Sequence, residues 1–580
     1  MSAKFKNLSL ALYCASIIIG AGVLTLPSSA AQLGFVPLLV AIVAIGFYMM
    51  IIYHRFTFSL FAYLRRYSSR VAKTVKMGLA VAGGVSTELP QGKLDDENQI
   101  IADEVSARGS RQLAELVQES GLGQAGKTSL VVGMFIYVFF AVIGYLAIGS
   151  TVLAAIAFSV PRGSGLWFLG GGLLMLILGL NLEGIFSKPF LLRGTLKKTS
   201  VMLGVWLIGI GILAWLTLPF QQAVHTHFDQ LPVWLVVINI LLFAISVISG
   251  MLVKQKNSKQ DSELSDHQRV NVVIMIVNLV LVLLTALLVL VFALNHHLFI
   301  PFYAFGDAFL HFNLNNAVVW ANMIGLILFA YVGTGLFNLC RHPAIFERQG
   351  KYRVPRLVNI VILGTAIPML VYLGWTMVTA LVLPASDLSS MAAAAADFST
   401  VRIASLFSNY DSAGAIPISI FGYLFALLAV TTACNGFTES LSDQLSVALD
   451  KVKKLHWITR TQEGMGMRMA ILFAAVIVTI GVKTFRGINL LDILSIAGNA
   501  GGGLLLLILP YFLPTRGQQK TTRQSVMMAM MSAVVLFLLL VTASKLWVST
   551  DIGSILLGVA NLVMAACILA ISLWLLRSKS

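Results

Sequence analysis

The chain is built from repeated blocks of almost entirely apolar residues, and this feature limits its fold more than any other. A helix needs about 20 mostly apolar residues to cross the hydrocarbon layer of a bilayer, and the blocks have about that length. Because lipid offers no hydrogen bonds, the backbone of such a block satisfies its own polar groups as an α-helix. Short segments of alternating hydrophobicity, which a β-barrel needs, do not dominate. We therefore predict an all-α, polytopic membrane protein.

The composition and the spacing of the cysteines exclude several other classes of protein. Hydrophobic residues make up 58% of the chain and charged residues only 11%, whereas soluble domains have about 45–50% and about 25%. The four cysteines lie within or at the ends of apolar blocks at spacings that match no zinc motif. They are typical of small packing residues, and we expect neither a metal site nor a cofactor.

Fourteen blocks are predicted to be transmembrane spans, the eleventh being the shortest. A single missed span would invert the predicted orientation of everything that follows it in the chain. The predicted spans cover residues 8–31, 35–61, 129–157, 165–182, 201–218, 231–253, 270–294, 318–340, 357–383, 416–434, 469–482, 490–513, 526–541 and 552–576.

The distribution of basic residues orients these spans. Of the 40 Lys and Arg residues, five fall in the segments on one side: Arg162, Arg402, Lys483, Arg486 and Lys545. Almost all the others fall in the opposite segments, and basic segments stay in the cytoplasm. This pattern supports the even number of spans and places both termini in the cytoplasm. It also accounts for the net charge of +16 without a nucleic-acid partner.

The first span contains an interruption near its middle. Gly20 and Gly22 flank Ala21, and Pro27 follows. Each glycine costs about 1 kcal/mol relative to alanine inside a helix, and a proline removes a backbone donor. Small residues can instead serve close packing of helices. However, residues two apart do not share a helical face, so the spacing favours an unwound backbone.

A second interruption of the same form lies in the eighth span. Gly333 and Gly335 flank Thr334, after Phe329 and Tyr331. Two glycine-interrupted spans in corresponding halves of a chain are typical of a transporter binding site. A broken helix exposes free N–H groups on one side and free carbonyls on the other. A zwitterionic amino acid carries a charge for each, so we expect the backbone at both interruptions to bind one.

The residues around the first interruption also resemble a known family. The resemblance starts with the run Ile19-Gly20-Ala21-Gly22-Val23-Leu24-Thr25-Leu26-Pro27, followed by Gly34 and Phe35. This run resembles the opening of amino acid/polyamine transporters with the LeuT-type fold, most closely that of bacterial hydroxy and aromatic amino acid permeases. Weaker similarities to the same branch lie at residues 116–150, 329–335, 362–383 and 425–443.

The resemblance implies an inverted repeat of five plus five helices and two accessory helices. On this interpretation residues 1–220 form the first repeat, with a cytoplasmic loop at 63–127, and residues 317–513 form the second. Residues 514–580 hold the accessory helices. The chain departs from the family at residues 221–316, which we interpret as an inserted transmembrane hairpin with an outer loop.

The family also implies roles for individual side chains. Tyr145 in the third span is expected near the substrate carboxylate, although a single tyrosine is more often a packed or interfacial aromatic. Thr431 and Thr432 are expected to bind Na⁺ together with the carbonyls of Gly20 and Val23, since oxygen ligands suit a hard cation. Threonines in membrane helices also commonly bond back to their own helix, and both readings stay open.

These features predict an ion-coupled symporter of an amino acid, working by alternating access in the cytoplasmic membrane of a bacterium. The coupling ion is Na⁺ or H⁺. A proton relay needs a titratable group within the bundle, and Arg55, Glu183 and Asp492 lie near span ends, which favours Na⁺.

Three alternative functions remain. A receptor or scaffold on the same fold would bind without transporting. A membrane-embedded enzyme is disfavoured, because no HExxH motif and no nucleophile–base cluster is evident. An ATP-driven pump is also disfavoured, because no separate soluble domain is large enough to hold an active site.

The start of the chain also has features of a signal peptide, but its length, its glycines and Pro27 favour a transmembrane span.

Overall fold

A computed structural model describes most of the predicted spans. The described residues are 3–54, 124–159, 165–185, 193–217, 232–252, 266–300, 304–311, 313–331, 354–388, 399–449, 465–484, 490–501, 530, 533–541, 543 and 552–577. Helices account for 93% of this part of the chain, and no strand occurs in it. The prediction of an all-α protein is confirmed.

Several helices have the dimensions of membrane spans. Within the described ranges, six helices are long and apolar enough to cross a membrane, and a bent pair at the N-terminus would make seven. Shorter apolar helices also occur at Gly165–Asn181, Val233–Ser249, Asn315–Tyr331, Gly466–Val482 and Gly558–Ala570. The protein is therefore a membrane protein that crosses the bilayer repeatedly.

The first half of the chain begins with a divided helix. α1 ends before a break, and two short helices follow with a 3-10 turn, Leu26–Ser29, between them. The elements of this half are α1 (Ala3–Ile18), α2 (Ala21–Thr25), α3 (Ala30–Leu33), α4 (Phe35–His54), α5 (Gln124–Ser159), α6 (Gly165–Ile185), α7 (Arg193–Leu216), α8 (Val233–Leu252) and α9 (Asp266–Asn295).

The second half repeats long apolar helices. Its elements are α10 (Asp307–Leu310), α11 (Leu314–Tyr331), α12 (Val354–Val382), α13 (Ser399–Ser408), α14 (Ser412–Leu449), α15 (Met465–Thr484), α16 (Leu490–Gly501) and α17 (Ile552–Arg577). The predicted end of the tenth span at residue 434 is wrong, because α14 continues to Leu449 and its apolar span to Ser442. Polar residues lower the hydropathy beyond residue 434, but the bundle buries them.

The core of the bundle lies around α5 and α14. In the most apolar stretch of Phe135–Ala157, 83% of the residues are buried, against 39% for Phe35–His54. α5 is therefore central and α4 peripheral. α5 packs against α14 and α16, and α14 packs against α9 and α15.

The helix contacts follow a repeated pattern. α5 contacts α8, α15 and α16. α14 contacts the counterparts of these three helices, which are α15, α8 and α9 in the same order. α11 contacts α16, and α1 correspondingly contacts α9. α5 with α14, and α8 with α15, also pack directly against each other. These pairs match when α1, α5, α8 and α9 are exchanged with α11, α14, α15 and α16.

α6 and α7 stand outside this pattern and pack most extensively against each other, although α7 also packs against α5, α8 and α9. They approach each other at glycines, since a Cβ atom added to Gly172 would lie 2.8 Å from the Gly204 carbonyl oxygen. α6 makes its main described contacts with α7. Its other face is open, with Leu166 75% and Trp167 83% exposed. Such a face suits contact with lipid tails.

A backbone clasp joins the outer ends of several elements. The Gly306 N–H donates to the Leu33 carbonyl over 3.1 Å, and the Val36 N–H donates to the Ala304 carbonyl over 3.0 Å. Gly34 lies between these bonds at φ 85° and ψ 165°, a conformation almost restricted to glycine. A Cβ atom on Gly34 would lie 2.5 Å from the Ala304 carbonyl oxygen.

We expect the substitution Gly34→Ala to destabilise the protein by about 1–3 kcal/mol, because alanine strains this backbone conformation and meets the facing chain. Thermal unfolding of purified protein in detergent would measure the loss. Gly374→Ala is the matched control, because a Cβ atom there meets nothing within 4 Å. Equal melting temperatures for the two variants would contradict the importance of the clasp.

Candidate binding site at the broken first helix

The first span is interrupted where the glycine spacing predicted an interruption. α1 ends at Ile18 and α2 begins at Ala21, with Gly20 at φ −137° and ψ −127° between them. The segments on either side are bent by 50°. No side chain caps the start of α2. The break therefore leaves backbone polar groups to be satisfied by neighbouring elements.

The two glycines at this interruption have different neighbours. A Cβ atom on Gly20 would lie 2.6 Å from the Tyr145 hydroxyl oxygen and 2.9 Å from the Ala433 Cβ. A Cβ atom on Gly22 would lie 2.5 Å from the Ala330 Cβ. Gly20 thus lets α5 and α14 approach the break, whereas Gly22 lets α2 pack against the end of α11. The unwinding lies at Ile19 and Gly20, and Gly22 itself is helical.

The end of α1 and the described part of α11 meet at one tyrosine. The Tyr372 hydroxyl oxygen lies 2.7 Å from the Ile18 carbonyl oxygen and 2.8 Å from the Ala330 carbonyl oxygen. A hydroxyl has one proton, so it donates to one of the two carbonyls at a time. The Ile18 carbonyl belongs to a helix C-terminus, which carries partial negative charge. Two carbonyl acceptors, one of them at a negative helix end, therefore converge at this point.

Two further tyrosine hydroxyls hold α11 to α4. The Tyr53 hydroxyl donates to the Tyr331 carbonyl over 2.8 Å, and the Tyr331 hydroxyl donates to the Ile42 carbonyl over 3.0 Å. The Tyr331 and Tyr372 rings meet edge to face at 5.4 Å. The part of Tyr331 in substrate binding stays a prediction.

An aromatic cluster lies on the other side of the break. The Tyr145 ring centroid is 5.4 Å from that of Phe329 and 5.4 Å from that of Phe437. All three side chains are buried. The structure thus brings together Tyr145 and Phe329, both predicted as binding residues, with Gly20. Phe437 was missed, because the predicted tenth span ended before it.

The predicted cation ligands on α14 differ from each other. The Thr432 hydroxyl donates within its own helix, toward the Leu428 and Ala429 carbonyls at 2.9 and 3.0 Å. The buried Thr431 hydroxyl has no hydrogen-bond partner among the described residues. Ala433 faces Gly20. Thr431, two positions earlier, projects about 200° around the helix from Ala433, whereas Thr432 projects about 100° from it. Thr432 is therefore better placed than Thr431 to face Gly20 and the buried Val23.

Other predicted residues lie outside the described part of the chain. Gly333, Thr334 and Gly335 all do, and so does Arg55. Ala21 is described through its backbone alone. Among the described residues, no group of three His, Cys, Asp or Glu side chains is arranged to hold a metal ion.

One ionisable pair was missed by the sequence analysis. The Glu439 carboxylate on α14 lies 3.3 Å from the Arg468 guanidinium on α15. The charge at position 439 is visible in the sequence, but it follows a drop in hydropathy and lies outside the predicted spans. Polar residues recur at helical spacing from Thr431 to Ser442, and this pattern indicates that the helix continues past Glu439.

Comparison with protein-family models gives no match, and comparison with curated protein sequences gives no match either. The assignment of a function therefore rests on the residues of this chain and their geometry.

We expect Tyr372→Phe to lower the stability of the purified protein by about 1–3 kcal/mol, because two buried carbonyls lose their shared donor. Thermal unfolding in detergent would measure this change. Tyr410→Phe serves as the control, since Tyr410 is 56% exposed. If Tyr372→Phe melts with the control, the hydroxyl does not stabilise the break.

Proposed function

We propose that the protein is an ion-coupled secondary transporter that carries an amino acid across the cytoplasmic membrane. The observation that carries this proposal is the convergence of the Ile18 and Ala330 carbonyls on the Tyr372 hydroxyl. The Ile18 carbonyl ends a helix that is broken inside a membrane bundle. Such a discontinuity is tolerated where the backbone is buried in protein or lines a site.

The two carbonyls suit an ammonium group. The end of α1 contributes partial negative charge, and the Ala330 carbonyl is a second acceptor at the same point. An ammonium group has three donors and no acceptor. In the present conformation the tyrosine hydroxyl supplies the donor. We propose that the amino group of the substrate takes over this donor position, while Tyr145 beside Gly20 approaches the carboxylate.

The packed geometry implies that the elements separate to admit the substrate. Gly22 lies against Ala330, and the Tyr145 and Phe329 side chains are 1% exposed. The described residues therefore correspond to a closed site. We propose that α1, α2 and α11 rock against α5 and α14 to expose the site to each side in turn.

We further propose a LeuT-type arrangement of fourteen transmembrane helices, with a revised division of the chain. The repeated helix contacts support α8 and α9 as the fourth and fifth members of the first repeat. The hairpin formed by α6 and α7 is then the insertion, in place of residues 221–316. Cytoplasmic termini and a bacterial inner membrane remain part of the proposal, supported by the Lys and Arg distribution.

Purified protein in liposomes is expected to accumulate an amino acid against its gradient when an ion gradient is imposed. A panel of radiolabelled amino acids, tested separately with Na⁺ and pH gradients, would identify the substrate and the ion. Specific binding without uptake, in correctly folded and oriented protein, would favour the receptor or scaffold alternative. Absence of both would contradict the proposed site.

The variant Gly20→Ala tests where the substrate binds. The added methyl meets the Tyr145 hydroxyl and Ala433, so we expect uptake to fall by about tenfold or more. Gly170→Ala is the matched control, because a Cβ atom there meets nothing within 4 Å. Unchanged uptake in Gly20→Ala would place the substrate elsewhere.

Deletion of the inserted hairpin tests the revised division. Removal of residues 160–231, with a Gly/Ser linker between Ser159 and Pro232, is expected to retain uptake because the paired repeat contacts remain. Removal of α8 and α9 is expected to abolish uptake, since both contact the core helices. Uptake assays of well-expressed variants in liposomes would decide, and the reverse result would restore the original division.

A further inference from the structure

Glu439 is a carboxylate buried within a membrane-spanning helix. It lies in the apolar span Ala413–Ser442 of α14, and its side chain is 9% exposed. Ionisable residues in membrane spans are costly and usually mark ion or proton pathways. Neither the substrate geometry nor the predicted cation ligands use this residue.

The partner of Glu439 comes from a different helix. The Arg468 guanidinium in the first turn of α15 lies 3.3 Å from Oε1 of Glu439, and its side chain is 12% exposed. The desolvation of two buried charges usually offsets their attraction, so such a pair is weak evidence for a purely stabilising role. The pair does connect α14 to α15 at their cytoplasmic ends.

Polar groups on α14 extend from the level of the broken helix to just beyond Glu439. Thr431, Asn435, Thr438 and Ser442 follow one another at helical spacing and are all buried. Oγ1 of Thr431 and Oδ1 of Asn435 have no hydrogen-bond partner among the described residues. Buried groups of this kind are commonly satisfied by ordered water. A hydrated row would span the roughly 12 Å from residue 431 to residue 439.

The neighbouring helix α9 adds a further polar group. Asn278 is buried, and neither its amide nitrogen nor its amide oxygen has a hydrogen-bond partner among the described residues. It lies 14 residues, or two heptads, before Phe292 on α9. The Phe292 ring packs against Gly414 of α14, since a Cβ atom added to Gly414 would lie 2.9 Å from it. Residues seven apart share a helical face, so Asn278 lies on the side of α9 that faces α14.

The charged and titratable groups around Glu439 come from several elements. Arg468 of α15 forms an ion pair with it. Tyr137 of α5 lies against Phe437, two residues before Glu439. α2 and α8 contain no ionisable residue, and Arg402 of α13 lies near the opposite end of α14. The first turns of α1, α5 and α9 carry ionisable residues whose side chains lie outside the described set: Lys4, Lys6, Lys127, Asp266, His267 and Arg269.

We propose that Glu439 binds the coupling proton of the transport cycle and that its protonation releases Arg468. The inference rests on the proposed transport function and deepens it by naming the ion and its site. A proton adds to the carboxylate, which becomes a neutral acid and loses its attraction for the guanidinium. α14 and α15 then separate at the cytoplasmic end, and the proton leaves to the cytoplasm when the pair forms again.

The first test is spectroscopic and does not depend on transport. Infrared difference spectra of the purified full-length protein between high and low pH are expected to show the C=O stretch of a buried protonated carboxyl. Glu439→Gln should remove this band, whereas Asp307→Asn, at an exposed site, should retain it. A band that persists in Glu439→Gln would overturn the assignment of the proton to Glu439.

The second test measures coupling in liposomes with a mixture of radiolabelled amino acids. Glu439→Gln is expected to lose accumulation driven by a pH gradient and to retain exchange of internal for external amino acid. Asp307→Asn should keep both activities. A purely structural pair predicts that exchange falls together with accumulation in Glu439→Gln, and that the swap Glu439→Arg with Arg468→Glu restores both; either result would overturn the proposal.

Measurements on the wild-type protein distinguish a failure of the proton site from a failure of the proposed transport function. Uptake that responds to a Na⁺ gradient and not to a pH gradient would overturn the role of Glu439 and leave the transporter assignment intact. A complete absence of uptake and exchange in wild-type protein would overturn the proposed function, and the proton site with it.

Discussion

The central constraint on this protein is that backbone polar groups inside a bilayer need partners within the protein. A continuous helix meets that requirement by itself, but α1 stops at Ile18 in the middle of the first predicted span. The structure satisfies the exposed carbonyl with the hydroxyl of Tyr372, which lies 354 residues further along the chain. The same hydroxyl lies 2.8 Å from the Ala330 carbonyl oxygen of α11. One side chain therefore makes the interrupted end of α1 compatible with a nonpolar surrounding and links it to α11.

The sequence predicted the features that lipid imposes directly. Apolar block length located the helices, and the pair Gly20 and Gly22 located the break. It did not distinguish the two glycines, because only the folded chain shows that Gly20 faces Tyr145 and Gly22 faces Ala330. It also ended the tenth span too early, since hydropathy treats Glu439 as exposed to lipid whereas the bundle surrounds it. Contacts between distant segments, such as the Tyr372 hydrogen bonds, leave no local periodicity in the sequence.

The division into repeats shows the same limit. Two helical pairs in the first half, α6–α7 and α8–α9, have similar length and apolarity, and removal of either pair preserves the topology. The resemblance to the transporter family places the insertion at the second pair. The contacts of α8 and α9 with α14, and of α9 with α1, are the basis on which we propose the first pair instead. Contacts of this kind are not visible in the spacing of residues along the chain.

The backbone clasp at Gly34 has a mechanical consequence. Its hydrogen bonds tie the α3–α4 junction to the strand of chain that leads into α11, and the Ile300 N–H donates to the Leu381 carbonyl at the end of α12. Three helices whose tyrosines lie beside the break, α4, α11 and α12, are thereby linked at one rim of the bundle. A tilt of any one of them acts on the other two, so under the proposed transport function we expect the site to open by a collective movement rather than by the swing of a single helix.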